Sequence, residues 1–291
     1  MNEYDILQRF LFENASVRGE IVRLKDSYQE MMQRHAYPPM IRRLLGEALV
    51  AAALLTSIIK FKGRVTVQFR GSGKLKLLLA QCNQDFHLRG IAQWDGEVNQ
   101  NDLVASSAKG VLAIMMEPDS VDGQRYQGIV AWQGESLAAA IEGYFRDSEQ
   151  LPTRLWIAVD EHQAAGLFLQ ILPKERPELY QNEWETLVHL TDTLKEKELL
   201  AWDNSTLLHR LYSEEDIRLF QPVPVKFQCT CSRERSENAL LLLGEEEVKQ
   251  ELKEKQIIVV NCEFCNREFE FDRVDIERIF KKGGQSTTQL H

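Results

Sequence analysis

The chain has 291 residues, 44% of them apolar and 27% charged, which is ample material for a folded core and more length than one typical domain uses. Its formal net charge of −9 argues against a sequence-independent nucleic-acid partner, because such binding runs on phosphate neutralisation by Lys and Arg. The longest apolar stretch, Ala48 to Ile59, is far short of the ~20 residues that cross a bilayer. The acidic start, Met1-Asn-Glu-Tyr-Asp5, lacks the basic n-region of a secretory signal. Thiols kept apart from an oxidising pathway point to the cytosol.

In chain order, Arg18 to Leu24 alternates like a strand, and Ser27 to Arg34 is helix-like before Pro38-Pro39. Ile41 to Lys60 places Leu44, Leu45, Ala48, Ala51, Ala52 and Leu55 at helical spacing. Val65 to Phe69 and Lys74 to Cys82 alternate about the turn Gly71-Ser-Gly73, a hairpin. Further strands are expected at Phe86–Gln93, Val111–Met116, Tyr126–Trp132, Arg154–Val159 and Gly166–Leu172, with a helix from about Glu135 to Arg146. This first section, 1–175, is therefore an α+β core with mainly antiparallel sheet.

No catalytic constellation emerges from it, and the chain is not read as an enzyme. Gly71-Ser-Gly73-Lys74 resembles a phosphate loop only superficially: the leading Gly is missing and Leu75 stands where Ser or Thr would hold magnesium. No Gly-x-Ser-x-Gly elbow is present, and His87 and His162 lack a neighbouring nucleophile and carboxylate. Cys82 ends a strand alone and reads as a strand residue without a role.

The texture changes over 176–226, a helical linker. Trp184, Leu187, Val188, Leu190 and Leu194 mark one apolar stripe; Asp203 or Asn204 caps a second helix bearing Leu207, Leu208, Leu211 and Tyr212. Lys195-Glu-Lys-Glu198 and Glu214-Glu-Asp216 surround narrow apolar faces, and such helices depend on docking for stability. An ordinary helical subdomain and a deliberately marginal linker fit this pattern equally.

The tail, 227–291, holds four of the five cysteines as two tight pairs, Cys229-Thr-Cys231 and Cys262-Glu-Phe-Cys265. Two close thiol pairs from distant segments suit one tetrahedral zinc with four sulfur ligands. The same thiols can instead form two disulfides, Cys229–Cys231 and Cys262–Cys265, so a structural metal site and a metal–thiol redox switch both remain open. On a fully extended strand the Cα atoms of Cys229 and Cys231 would lie roughly 6.6 Å apart, at the edge of the disulfide range, so the chain must bend at Thr230 and the second pair is expected to close first. A thioredoxin-like reading of the second pair is weak, because Ile257–Val260 and Phe269–Phe271 flank it as a hairpin knuckle. Histidine ligands are not expected, since only His291 lies in this region. A helix from Ser232 carries Leu240 to Leu243 and stops at Gly244; Glu245 to Lys255 is a second, and Asp272 caps a last helix ending at Gly283-Gly284. So small a domain usually needs a staple, and zinc provides it.

Cys229-Thr-Cys231-Ser-Arg-Glu-Arg235 followed by Cys262-Glu-Phe-Cys265 closely resembles the redox-regulated heat-shock chaperone family of bacteria, the 33 kDa chaperonin family. The resemblance spans the chain: Phe12-Glu-Asn14 with Val17-Arg-Gly-Glu20, Arg125-Tyr-Gln-Gly128, Tyr144-Phe145 with Ser148-Glu-Gln-Leu-Pro-Thr-Arg154, and Leu208-His-Arg-Leu-Tyr212. Some members carry a further cysteine where Ser236 stands here. The resemblance implies an ATP-independent holdase of the bacterial cytoplasm. It would be silent while reduced, monomeric and holding one Zn²⁺ on Cys229, Cys231, Cys262 and Cys265. Oxidation would release the metal, unfold the tail and linker, and yield a dimer that captures unfolded or misfolded client proteins, with no nucleotide, nucleic acid or membrane involved. Trp184, Leu187, Leu190 and Leu194 are the expected gate, covering apolar core surface until the tail unfolds. A nucleic-acid-binding zinc ribbon competes on the cysteines and is opposed by the charge; an enzyme with a structural zinc lacks an acid–base pair.

Overall fold

The computed structural model describes residues 3–59, 62–120, 123–132, 136–172 and 181–286; Lys60, Glu135, His291 and the 175/176 boundary fall outside them. The chain divides into two compact units, Met1–Gln228 and Cys229–His291.

The first unit is organised around α2 (Pro39–Ile58), which opens with Pro at its first position and carries an unbroken buried run from Ala48 to Thr56. A helix buried nearly all round needs cover on both sides, and two sheets supply it. One contains β1 (Ile6–Phe12), β2 (Val17–Leu24), β8 (Thr153–Val159), β9 (Ala164–Ile171) and β10 (Ile217–Leu219) in the order β10-β1-β2-β9-β8, with β11 (Val223–Pro224) also on β1. The other contains β3 (Gly63–Gly71), β4 (Leu75–Asn83), β5 (His87–Trp94), β6 (Gly110–Pro118), β7 (Tyr126–Val130) and β12 (Lys226–Phe227) in the order β12-β5-β4-β3-β6-β7. Every pairing is antiparallel except β12 with β5. Gly166 and Gly90 let the sheets close on the helix, since a Cβ at either would run into Val50 or Leu45. The Gly71-Ser-Gly73 turn joins β3 to β4 as a hairpin, and Lys74 Nζ donates to Asp102 Oδ2 at 3.1 Å.

The α+β class and the antiparallel core agree with the sequence reading. α1 (Asp26–Met32) and the expected strands lie within a few residues of their predicted positions. Three features differ. The helix expected through Arg146 is α4 (Leu137–Tyr144), followed by a π-helical turn at Phe145–Glu149 that Gln150 closes in the left-handed region. α3 (Gln100–Ser107) is additional and starts with a capping box between Asn99 and Asp102. The segment after Tyr212 is not purely helical: β10, β11 and β12 add short strands to both core sheets.

β9 is buried along its whole length because both faces of its sheet are covered. α2 covers one face. The other packs Phe10, Phe12, Ile21, Leu167 and Leu169 against α5 (Gln181–Asp192), α6 (Glu196–Ala201) and α7 (Asn204–Leu211).

The second unit contains α8 (Arg233–Leu243), α9 (Glu245–Glu254), the hairpin β13 (Ile258–Asn261) with β14 (Glu268–Phe271), and α10 (Arg273–Ser286), which continues through Gly283 and Gly284. Its buried apolar cluster among the described residues is seven side chains: Leu240, Val248, Ile258, Phe269, Phe271, Ile276 and Ile279.

Candidate metal centre

The second cysteine pair sits on the β13–β14 turn. Cys262 N–H donates to the Arg267 carbonyl at 2.9 Å, and Asn266 N–H returns to the Cys262 carbonyl at 2.8 Å. Asn266 takes a φ of 57°, a left-handed conformation that Asn tolerates. The first pair precedes α8, whose Ser232 caps the helix by accepting from Arg235 N–H at 3.2 Å. Arg235 Nη1 also donates to Thr230 Oγ1 at 2.7 Å, at the residue where a bend was required. Arg233 ties the pair's helix to the rest of the unit: it donates to the Glu270 carbonyl at 2.8 Å and to Asp275 Oδ2 at 2.6 Å, and its guanidinium lies 4.3 Å from the Phe271 ring centre.

These turns bring all four sulfurs within 4.8 Å of one another, with Cys229 to Cys262 and Cys231 to Cys265 each at 3.5 Å. Four sulfurs at ~2.3 Å from one ion would have edges of about 3.8 Å, and a disulfide would need ~2.05 Å. The donor set thus fits a four-sulfur metal site, and the cysteines are free thiols. Cys265 is buried and the others half-buried. Burial pushes the Cys229 and Cys231 thiols up. Burial also opposes ionisation of Cys262, but the N–H groups of Cys265 and Phe264 aimed at its sulfur bring it below the ordinary range. A bound cation holds its thiols as thiolates outright. Among the described residues no other three metal-ligating side chains converge.

Cys82 is fully buried between Val65 and Leu88 in the first unit, and burial pushes its thiol up to about 12, which leaves it inert. Of the expected gate residues, Trp184 and Leu187 are buried and Leu194 packs partly on the same cluster, whereas Leu190 is 36% exposed. The docked stripe runs Trp184, Leu187, Val188, Thr191 because the i, i+3, i+4, i+7 positions share one face, and Leu190 falls outside it. Polar holds on the linker escaped the sequence reading. Asp192 accepts from Arg154 at 2.9 Å and Trp156 Nε1 at 3.0 Å, Glu196 pairs with Arg43 at 3.3 Å, and Arg23 reaches the Leu199 and Leu200 carbonyls at 3.1 and 2.7 Å. An arginine inside an apolar strand was the available signal for the last.

The family model described as Hsp33 protein matches residues 5–272, which include both cysteine pairs. The chain belongs to the Hsp33 family. It is 46% identical to the 33 kDa chaperonin of Shewanella sp. strain ANA-3, covering 98% of this chain and 99% of that one. It is 47% identical to the 33 kDa chaperonin of Azotobacter vinelandii, covering 98% and 97%. Among solved structures it is similar to the crystal structure of the 33 kDa chaperonin of Thermotoga maritima, with a TM-score of 0.80, 25% identity, and 97% of this chain and 100% of that chain covered. The four converging sulfurs and the docked helices α5–α7 thus belong to a chain of the Hsp33 family.

Proposed function

We propose that this chain is an ATP-independent holdase of the bacterial cytoplasm, silent while its four tail cysteines are reduced and active once they are oxidised. The observation that carries this reading is the convergence of four sulfurs in a unit whose buried apolar cluster is only seven side chains among its described residues. Cys229, Cys231, Cys262 and Cys265 are the ligands, and the donor set suits Zn²⁺. Bound there, Zn²⁺ supplies roughly 10–16 kcal/mol of apparent binding free energy, as much as the whole stability of a typical domain.

Cys262 and Cys265 close one disulfide, Cys229 and Cys231 the other. Each closure joins two sulfurs, and its two electrons and two protons reduce one hydrogen peroxide to two waters. The unit then has neither four thiolate ligands nor a core large enough to stand alone. Only Gln228 separates Cys229 from β12, so loss of the tail's fold reaches the linker through the chain itself. Undocking of α5–α7 uncovers Phe10, Phe12, Ile21, Leu167 and Leu169, which hold unfolding clients by burial. The reduced form is a monomer and the oxidised form a dimer in this scheme.

The test is aggregation of a heat-unfolding client with reduced, zinc-loaded protein and with peroxide-treated protein, zinc release being followed by a chromogenic chelator. Suppression is expected only after zinc appears in solution, with peptide maps showing Cys262–Cys265 closing before Cys229–Cys231. Equal suppression by the reduced, zinc-loaded protein would sink the switch, and bridges running between the pairs would sink the pairing.

A further inference from the structure

Arg23 is 2% exposed, on the face of β2 that carries Val17 and Ile21 toward the linker helices. Its fork is filled by main chain: Nη1 donates to the Leu199 carbonyl at 3.1 Å and Nη2 to the Leu200 carbonyl at 2.7 Å, both in the last turn of α6. Among the described residues no carboxylate bonds to it, its Nε has no hydrogen-bond partner, and the Tyr4 ring lies 5.6 Å away. Burying a guanidinium is costly unless its donors are met. The last carbonyls of a helix have no partner within the helix and carry its negative end, so α6 meets that need with backbone rather than with a charged side chain.

When α6 lifts, those acceptors leave together, and a cation with vacant donors remains on the sheet face that carries Ile21, Ala165 and Leu167. The group that fits it is the group that has gone: successive carbonyls pointing the same way, next to an apolar stripe. A helix end presents that arrangement, whereas in an extended segment successive carbonyls point to opposite sides. We propose that Arg23 determines the specificity of the uncovered face, which takes amphipathic helical segments of clients docked by their last-turn carbonyls in the place of α6. The proposal rests on the reading that the linker covers this face until oxidation.

The probe is a fluorescent synthetic peptide of residues 181–212 of this chain, titrated with peroxide-oxidised full-length protein. Wild type is expected to bind it. Arg23→Met keeps the stem and removes the fork, and is expected to weaken binding at least about tenfold, with Arg23→Lys between the two. The reduced Arg23→Met protein is expected to expose 181–212 to protease without oxidation, so one substitution loosens the resting state and weakens the active one; a merely structural residue would not do both. A peptide with an ester in place of the 200–201 amide tests the Leu200 carbonyl on unmodified protein and is expected to bind about threefold more weakly. A scrambled peptide lacks the stripe and is expected to bind at least as weakly as the ester. Equal binding of the native, ester and scrambled peptides to wild type, or equal binding of the native peptide by wild type and Arg23→Met, overturns the role of Arg23 and leaves linker cover intact. No binding of the native peptide by oxidised wild type overturns the proposal, whereas unchanged protection of 181–212 from protease after oxidation overturns linker release itself.

Discussion

The two units solve the same problem by opposite means. In Met1–Gln228 one sheet is covered on both faces, by α2 on one side and α5–α7 on the other, and burial is spread over two large apolar clusters. In Cys229–His291 a cluster of seven side chains among the described residues is joined to four sulfurs that converge within 4.8 Å. Distributed burial fails gradually under perturbation, because each side chain contributes about 1.5–3 kcal/mol. A unit that depends on one coordination centre fails at once. On the proposed function, the comparison teaches where a switch can be placed: in the unit whose small apolar cluster leaves it dependent on groups that chemistry can remove.

The largest expected effect tests that contrast directly. Metal removal by a chelator, or Cys262→Ser, should cost the second unit on the order of 10 kcal/mol, unfold it and release α5–α7, and leave α2 intact. Hydrogen exchange read by mass spectrometry decides it. Protection should vanish over β13, β14 and α10 and persist over Pro39–Ile58. Loss of protection in α2 as well would mean that the units are not independently held.

Within the first unit the contrast recurs between a docked and an undocked position of one helix. Trp184 is 8% exposed and Leu190 is 36% exposed, although both lie on α5. Trp184→Asp places a charge without a partner in the cluster beside Tyr212 and should cost about 3–5 kcal/mol, enough to undock a marginal segment. Leu190→Asp should stay within about 0.5 kcal/mol. Reduced, zinc-loaded Trp184→Asp is expected to suppress client aggregation partly, and Leu190→Asp not at all. Activity in both variants would mean that the linker is released by charge anywhere on α5, and silence in both would move the gate to the second unit.

The same pair shows what was legible in the sequence. The apolar period of α2, the β3–β4 hairpin and the cysteine pairs are local signals, and each appears where its residues predicted. Leu190 reads as equivalent to Leu187 because both are apolar and three residues apart on α5, whereas the buried face continues through Val188 to the polar Thr191, whose residue type gives no apolar signal. β10, β11 and β12 are two or three residues long and exist only through pairing with β1 and β5, so no local pattern announces them. α3 buries little beyond Leu103, but Asn99 and Asp102 spelled its capping box. β2 carries Arg18, Glu20 and Arg23 within its strand alternation. Both faces are covered, so Glu20 and Arg23 are buried, each 2% exposed.

Glu20 gives the first unit a titration of its own. Burial outweighs the guanidinium groups of Arg18 and Arg9 and the Ser57 hydroxyl, and raises its carboxyl from 4.5 to about 7. The folded state therefore binds this proton more tightly than the unfolded chain. Stability from this group is complete below pH 4.5 and is lost as pH rises through about 7, by about 3 kcal/mol. Burial pushes Glu47 and Glu142 up as well, so the informative quantity is the difference between wild type and Glu20→Gln. In urea titrations of the reduced protein, Glu20→Gln should be the more stable at pH 8 by about 2 kcal/mol, with the gap closing toward pH 4.5. A gap that does not change with pH would show that Glu20 is ionised throughout.

The sharpest contrast between neighbours lies in α8, where a run of four leucines suggests a core that the second unit does not have. Leu240 is 2% exposed and joins Phe271 and Ile276, while Leu242 is 90% and Leu243 56% exposed. The helix turns about 100° per residue, so Leu242 projects away from the face that Leu240 presents to β14 and α10. Leu240→Ala should cost about 2–5 kcal/mol of the second unit's stability with metal bound, through lost transfer energy and the cavity left behind. Leu242→Ser removes a side chain already in water and should stay within about 0.5 kcal/mol. The chelator concentration that releases half the metal reads both, since a weakened fold gives up its ligands sooner. If Leu242→Ser shifts that midpoint as far as Leu240→Ala does, then Leu242 has a partner in solution and the second unit is held by more than its sulfurs and its own small cluster.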